Sequence, residues 1–240
     1  MPSITAFNPD PLQKRRDGEG YSLGGVDPAT VGAQMQAALA GGVDVPGRVQ
    51  DGPTCGLYAL GMVMDSFAAK DPRALDPLVQ SSDRGRAGSH TETPNTSAFL
   101  LDTAEKDGFT TQGEMFYADQ LASLAQQFGY KTSVDTSLTL GDLKACIARG
   151  HPALVAFDVD HEGNPGLYNG GRAHWCVVEG TFQKDGVDYV VATHGWEGKE
   201  YVWRAQDLLA SAAQLNTPDF PGAPRNLQDT LAHRMVEIYR

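Results

Sequence analysis

Residues 48–67, RVQDGPTCGLYALGMVMDSF, contain a run of turn-forming residues that stops at Cys55, where an apolar pattern begins. Large apolar residues then recur at helical spacing: Leu57, Leu60, Met64 and Phe67. That period predicts a long helix with one buried face, beginning at Cys55. A cysteine at such a junction is a buried small residue, a metal ligand, or a nucleophile held at a helix N-terminus.

Cys55 lies at a position where a thiol becomes reactive if a base is nearby. Thr54 is a residue type that caps helices, and the positive end of the helix dipole stabilises a thiolate in the first turn. We therefore expect a lowered pKa for Cys55. Gly52 and Pro53 fix a tight entry and allow a substrate backbone to approach, so Gly52 is a candidate substrate-binding residue. For an isolated cysteine, however, the better explanation is a small residue tucked under a loop.

The charge, the apolar runs and the cysteine spacing argue against several classes of function. The chain has 240 residues, a formal net charge of −11 and 41% hydrophobic residues, which is typical of a soluble globular protein. That charge argues against binding to nucleic acid or to an anionic membrane, and no apolar run approaches the roughly 20 residues that span a bilayer. The three distant cysteines suit free thiols in a reducing compartment, and zinc-ligand spacing is absent. We therefore expect no metal and no cofactor.

The two halves of the chain differ in their hydrophobic period. Helix-like segments that end at glycines dominate residues 26–150: TSAFLLDTAEKDG, YADQLASLAQQFG and TLGDLKACIARG. In residues 151–240, PALVAFDVD is typical of a buried strand, and AHWCVVEGTF and VDYVVATHG flank the turn sequence QKDG as an antiparallel hairpin. Helices followed by an antiparallel sheet predict an α+β fold, in a single domain over residues 26–240.

Two polar segments stand apart from this pattern. Residues 1–25 lack the apolar stretch of a secretory signal peptide, and we expect them to be a flexible leader. A cytoplasmic monomer is therefore expected, although such a leader also suits a bacterial effector that is translocated into a host cell. The long polar loop SSDRGRAGSHTETPN (81–95) is a candidate for lining a binding surface.

A nucleophilic cysteine needs a base within hydrogen-bond reach, and the predicted hairpin offers two histidines. His174 opens the strand AHWCVVEG directly after NGGR, and His194 ends the next strand. Side chains alternate along a strand, so a matching register would bring His194 close enough to orient His174. Asp158, at the end of the preceding strand, is the alternative third member, because a carboxylate orients a catalytic histidine more commonly than a second histidine does.

The remaining candidates are an amide and two other thiols. Gln50, five residues before Cys55, can donate to an oxyanion together with the Cys55 backbone N–H. Cys146, on the apolar stripe of a helix, and Cys176, in mid-strand, are expected to be buried. The order of these residues along the chain favours a catalytic role for Cys55 over a structural one. It is a glutamine, a Gly-Pro turn, a cysteine that starts a helix, then a histidine and a polar partner on adjacent strands.

This order resembles that of the papain-like cysteine peptidases, in which a central helix bearing the cysteine packs against an antiparallel sheet bearing a histidine and then an asparagine or aspartate. The resemblance assigns Gln50 to the oxyanion hole, Cys55 to the nucleophile and His174 to the base. HGW at 194–196 falls where papain has Asn-Ser-Trp. On this match His194 replaces the orienting asparagine of a catalytic triad, and Trp196 resembles the tryptophan that shields it.

A closer resemblance is to the actin maturation protease-like group and its bacterial C39-type relatives. It is carried by DGPTCGLYAL, GGRAHWCVVEG and SAAQLN, and covers roughly residues 48–216. It implies a thiol protease that hydrolyses a peptide bond through a thioester and processes the N-terminus of a protein or peptide substrate, with actin as one candidate. We expect Trp175 and Trp196 to contact that substrate.

Two other functions are compatible with the same residues. Papain-like folds also transfer acyl groups, as transglutaminases do, and exclusion of water from the thioester would favour that reaction. A catalytically inactive binding module is the third option, and the presence of Gln50, Cys55 and His174 together argues against it.

Overall fold

The computed structural model describes residues 20–70 and 96–240, so most of the expected leader and the loop at 81–95 lie outside the described residues. Six helices occur in the described part: α1 (Pro28–Gly41), α2 (Cys55–Lys70), α3 (Thr96–Lys106), α4 (Ala118–Gln127), α5 (Leu140–Ala148) and α6 (Ala205–Ala213). The strands are β1 (Tyr21–Ser22), β2 (Lys131–Asp135), β3 (Ala153–Val159), β4 (Pro165–Leu167), β5 (Ala173–Lys184), β6 (Val187–His194), β7 (Glu200–Arg204) and β8 (Met235–Tyr239).

The eight strands form one sheet in which every pairing is antiparallel. Its order is β1-β4-β3-β5-β6-β7, and β8 pairs with both β3 and β2. β3 lies in the middle of the sheet, and all of its residues are buried, as its nearly continuous apolar run predicts.

Alternate residues of the central strands face two different layers of helices. One face packs against α2, α3 and α4, and its strand residues include Leu154, Ala156, Trp175 and Val177. The other face packs against α5 and α6, and its strand residues include Val155, Phe157, Cys176 and Val178. The predicted α+β class is confirmed, with the helix that carries Cys55 packed against an antiparallel sheet as the papain-like resemblance implied.

The turn before α2 places Cys55 at the first position of that helix. The Thr54 hydroxyl donates to the carbonyl of Asp51 at 2.6 Å, so this side chain closes the turn. The Thr54 carbonyl accepts the N–H of Tyr58 at 2.9 Å, which is the first hydrogen bond of the helix. Gly52 adopts a φ of +67° within the turn, a conformation that glycine reaches without steric cost.

The predicted hairpin is confirmed as β5 and β6. Asp185 and Gly186 at its tip both have positive φ, 52° and 78°, which is the geometry of the tight two-residue turns that favour Asp-Gly. Near the middle of β5 the register shifts between Val178 and Gly180, so Glu179 is the extra residue of a β-bulge. Beyond the bulge Cys176 pairs with His194.

The N-terminal part of the described chain differs from the sequence-based expectation. Residues 21–22 were assigned to the flexible leader, but they form β1 and pair with β4. α1 was not singled out, although Asp27 caps it by accepting the Ala29 N–H at 2.9 Å and Pro28 follows at the first helical position. Within residues 20–70 and 96–240, no helix has the length and apolarity needed to cross a membrane.

Candidate active site

Cys55 lies at the edge of a cavity of about 200 Å³ that Gln50 and His174 also line. The helix start brings the thiol to the beginning of β5, where the backbone N–H of Trp175 hydrogen-bonds to the sulfur. Because Trp175 directly follows His174, this contact brings the thiol to the part of β5 that carries the histidine. The structure therefore brings together the three residues that the sequence assigned to nucleophile, base and oxyanion donor.

The protonation state of Cys55 differs from the sequence-based expectation. Burial raises the pKa of the thiol to about 11, although the backbone N–H groups of Trp175, Gly56 and Cys55 itself lower it. The residue as a whole is only partly buried, but the surrounding protein removes water from the sulfur and disfavours the thiolate. The expectation of a lowered pKa was wrong, because desolvation outweighs the effect of the helix N-terminus.

His174 is held by a second histidine and is also neutral. Its exposed fraction is 5%, and its Nε2 lies 3.0 Å from Nδ1 of His194. Burial, and secondarily the neighbouring His194, hold the pKa of His174 well below its usual range. The pair therefore rests as a thiol and a neutral imidazole, and a proton must move when the thiol reacts.

The hydrogen bonds of His194 determine which nitrogen carries its proton. His194 is fully buried, and its Nε2 lies 3.0 Å from the carbonyl oxygen of Gly163, which can only accept. The proton must therefore be on Nε2, and Nδ1 is an acceptor, as the backbone N–H of Trp196 at 3.4 Å also indicates. Burial lowers the pKa of His194 to about 4, so this tautomer is neutral near pH 7.

This arrangement fixes the tautomer of His174 as well. Since Nδ1 of His194 accepts, Nε2 of His174 must donate, and the lone pair of His174 is left on Nδ1. A lone pair is what a base needs to take the proton of a thiol. His194 therefore offers a ring nitrogen as the acceptor for His174, at the position where the papain-like resemblance implied an amide oxygen.

Asp158, the alternative third member, contacts a different part of the site. Its buried carboxylate accepts the backbone N–H groups of Tyr168, Gly170 and Arg172 at 2.8–3.0 Å and the amide of Gln214 at 2.7 Å. It therefore organises the loop before β5, and this loop lines one side of the cavity. In the described structure the hydrogen-bonding partner of His174 is His194, and this geometry favours His194 over Asp158 as the third member.

Gln50 lines the same cavity as the thiol, and part of its amide is already engaged. Its Nε2 donates to the carbonyl of Gly52 at 2.9 Å, and its backbone N–H donates to Gly195 at 2.8 Å. An amide has two N–H donors, so one remains for an oxyanion. Its buried Oε1 has no hydrogen-bond partner among the described residues.

The two tryptophans have different roles. The Trp175 ring is 2% exposed and belongs to the core, and its Nε1 donates to the carbonyl of Met115 at 2.8 Å. Trp175 is among the residues that line the cavity, and its contact with a substrate stays a prediction. Trp196 is 42% exposed, and its ring centroid lies 6.1 Å from that of His174, so the ring lies next to His174, whereas the resemblance implied shielding of His194.

Cys146 and Cys176 are buried as expected. The thiol of Cys146 donates to the His151 carbonyl at 3.4 Å, and that of Cys176 donates to the Val155 carbonyl at 3.5 Å. Burial raises the pKa of Cys146 to about 12 and that of Cys176 even further. Both are therefore packing residues.

Sequence reasoning missed one wall of the cavity and one backbone group. The wall comes from three separate segments, and its members include Glu114, Phe116, Arg172, Asp219 and Phe220. The backbone group is the Gly163 carbonyl, and no sequence motif indicates either feature. No cluster of three or more His, Cys, Asp or Glu side chains in the described ranges, 20–70 and 96–240, is arranged to hold a metal ion.

Comparison with known proteins gives consistent matches over the part of the chain that contains this site. Residues 45–182 match the family described as actin maturation protease-like, C-terminal domain. The chain is 33% identical over 141 residues to an actin maturation protease of Danio rerio, which covers 57% of this chain and 39% of that protein. The corresponding protein of Mus musculus is 30% identical over 145 residues, covering 57% and 33%, so the chain spans two fifths or less of the length of these two relatives.

Two further likenesses extend beyond that region. An actin maturation protease of Drosophila melanogaster is 29% identical over 174 residues, which covers 70% of this chain and 54% of that protein. A crystal structure of a C39-like peptidase from Bacillus anthracis aligns with a TM-score of 0.45 and 11% sequence identity, covering 85% of this chain and 97% of that chain.

Proposed function

Because the matched residues 45–182 make up more than half of the 240-residue chain, it belongs to the actin maturation protease-like family, and we propose that it is a cysteine peptidase with Cys55 as its nucleophile. The observation that carries the proposal is the hydrogen-bonded pair of His174 and His194, in which His174 lines the same cavity as the thiol. This pair leaves an imidazole lone pair available at the cavity where a peptide carbonyl would lie.

The proposed reaction starts from the neutral pair. The sulfur of Cys55 attacks the carbonyl carbon of the peptide bond while Nδ1 of His174 takes the thiol proton, which gives a tetrahedral oxyanion and an imidazolium. Collapse breaks the C–N bond, and His174 returns the proton to the leaving amine. Water then attacks the thioester with His174 as base, and the thiol is regenerated as the acid product leaves.

Two N–H donors serve the oxyanion in this proposal. One is the backbone N–H of Cys55 in the first turn of α2, and the other is the second amide hydrogen of Gln50. Loss of one oxyanion-hole donor costs roughly 3–4 kcal/mol of transition-state stabilisation in a serine protease. The Gly52 carbonyl holds the Gln50 amide in place, so the donor is preorganised.

We also propose a protein substrate that is cut near its N-terminus, actin among the candidates. The support is the name of the relatives, which are actin maturation proteases. The cavity volume of about 200 Å³ is smaller than the roughly 300–1,000 Å³ of sites for drug-sized ligands. A site of this size suits one or two residues of an extended peptide.

A comparison of protein N-termini tests both activity and cleavage position. Cell lysate is treated with the wild-type protein or with Cys55→Ala, and new N-termini are mapped by mass spectrometry. We expect new N-termini with the wild type alone, and Cys146→Ala serves as a control that also removes a thiol. Identical N-termini from wild type and Cys55→Ala would reject the peptidase assignment.

A further inference from the structure

A short loop between β3 and β4 supplies the backbone group on which the tautomer of His194 depends. The loop comprises residues 160–164, and it brings the Gly163 carbonyl oxygen to 3.0 Å from His194 Nε2. An isolated neutral imidazole can carry its proton on either nitrogen. The carbonyl therefore favours one of two states, as the longer contact of the Trp196 N–H with Nδ1 at 3.4 Å also does, and the question is what holds the carbonyl in place.

Asp160 closes this loop from within. Its Oδ1 accepts the backbone N–H groups of Glu162 and Asn164, both at 2.8 Å. Its own N–H donates to the Asn164 carbonyl at 2.8 Å, and its Oδ2 accepts the hydroxyl of Ser22 from β1. Asp160 is fully buried, so breaking these bonds would leave several buried polar groups without partners.

The position of Gly163 within the loop has little freedom. Its φ is +85°, and a Cβ added there would lie 2.5 Å from the hydroxyl oxygen of Tyr201. The ring of Tyr201 in turn stacks on His194 with centroids 4.4 Å apart. Only a glycine fits this close approach, and the carbonyl is directed at the imidazole edge by the turn that Asp160 closes.

We propose that Asp160 is a positioning residue: by closing the 160–164 loop it holds the Gly163 carbonyl against His194 and thereby selects the Nε2–H tautomer. The inference rests on the proposed function for its catalytic meaning, but the tautomer itself is a property of the folded protein. Without the carbonyl, the Nδ1–H tautomer of His194 becomes available. Its Nδ1–H would donate to Nε2 of His174 and move the proton of that ring to Nδ1, where a donor would replace the base.

A charge effect is the competing explanation for any role of Asp160. Burial lowers the pKa of His194 and is the largest effect. The carboxylates of Glu197 and Asp160 raise this pKa and the ammonium of Lys199 lowers it, each to a smaller extent. The two explanations predict different results for the variant Asp160→Asn. The asparagine keeps Oδ1 as an acceptor for both N–H groups and can donate to Ser22, but it removes the charge.

The experiment combines nitrogen NMR of the histidine side chains with the rate of Cys55 alkylation by iodoacetamide at pH 7. We expect wild type and Asp160→Asn to show His194 with its proton on Nε2. In Asp160→Ala we expect a mixture of tautomers and alkylation slower by about threefold to tenfold, the ratio that loss of one ordinary hydrogen bond produces. Asp142→Ala, which removes a carboxylate that caps α5, is the control and should change neither measurement.

Two results would overturn the inference. One is an unchanged tautomer in a folded Asp160→Ala, and the other is an Asp160→Asn variant that behaves like Asp160→Ala, which would indicate charge. If Asp160→Ala does not fold, Ser22→Ala removes the hydroxyl that holds Oδ2 and should shift both measurements in the same direction by a smaller amount. No shift in Ser22→Ala would then count against the inference. Absence of peptidase activity would be detected in the lysate comparison and would leave the tautomer result standing.

Discussion

Replacement of Glu179 by glutamine should stabilise the protein at neutral pH, although it removes a buried carboxyl group. Glu179 is the bulge residue of β5 and is fully buried. It accepts the Thr193 hydroxyl at 2.6 Å and the Val45 N–H at 3.0 Å. Burial raises its pKa to about 8, and Glu200 and Asp44 add to the effect, while the hydrogen bonds oppose it.

The magnitude follows from the difference between this pKa and the ordinary value of 4.5. Because the pKa of Glu179 is raised in the folded state, the contribution of this residue to the free energy of unfolding is fully present below pH 4.5. It is lost as the pH rises through about 8. At 1.36 kcal/mol per pH unit the total loss is about 5 kcal/mol, of which about 3 kcal/mol has occurred by pH 7. Glutamine is neutral at every pH and keeps one acceptor and one donor for Val45 and Thr193, so Glu179→Gln should not show this loss.

Urea unfolding of wild type and Glu179→Gln at pH 5, 7 and 9 measures the effect. We expect similar free energies of unfolding at pH 5 and a variant that is more stable by about 3 kcal/mol at pH 7. Glu237→Gln is a control in which the stability should change in the opposite direction. Burial raises the pKa of Glu237, but hydrogen bonds from His151 and Arg149 outweigh burial and lower it. That variant should be less stable than wild type at pH 7. A difference between wild type and Glu179→Gln that stays constant from pH 5 to pH 9 would refute the reasoning.

Three further predictions concern the thiol and its histidines. Iodoacetamide should label Cys55 faster than the fully buried Cys146 and Cys176, and equal labelling by mass-spectrometric mapping would reject Cys55 as nucleophile. The labelling rate should keep rising up to about pH 10, because the Cys55 pKa is about 11; a plateau between pH 5 and 8 would instead reveal a thiolate–imidazolium pair. In a peptidase assay Cys55→Ala and His174→Ala should each lower kcat by about 10³-fold or more, and His194→Ala by about tenfold to a hundredfold, whereas His194→Asn should keep more activity than His194→Ala. Equal loss in all three alanine variants, with folding intact, would contradict an orienting role for His194.

Features of the site that depend on the hydrophobic period and on the order of residues along the chain could be predicted from the sequence. The apolar spacing after Cys55 predicted α2, and alternation in the hairpin predicted that His174 and His194 could share a face. The state of the thiol could not be predicted, because the helix dipole is visible in a sequence and the depth of burial is not. For the same reason the sequence does not reveal that the Trp175 ring lies in the core, where its Nε1 donates to the carbonyl of Met115.

Backbone groups and long-range contacts account for the rest of what the sequence did not reveal. The Gly163 carbonyl acts through an atom that every residue possesses, so its residue type carries no signal. The position of Asp158 at the end of a strand predicts an orienting carboxylate, but the sequence does not show the loop that folds back over it, where the amides of Tyr168, Gly170 and Arg172 donate to the carboxylate.

The bulge in β5 makes the pairing of the two histidines a matter of odd and even residue numbers. At the tip of the hairpin Lys184 pairs with Val187, so an unbroken ladder would always match an even residue with an odd one. His174 and His194 are both even, and such a ladder would send their side chains to opposite faces of the sheet. The extra residue, Glu179, reverses the parity and unites them. A homologue that inserts or deletes one residue in this hairpin without a compensating bulge would lose the histidine pair while retaining both histidines, and an alignment of conserved letters would not reveal the loss.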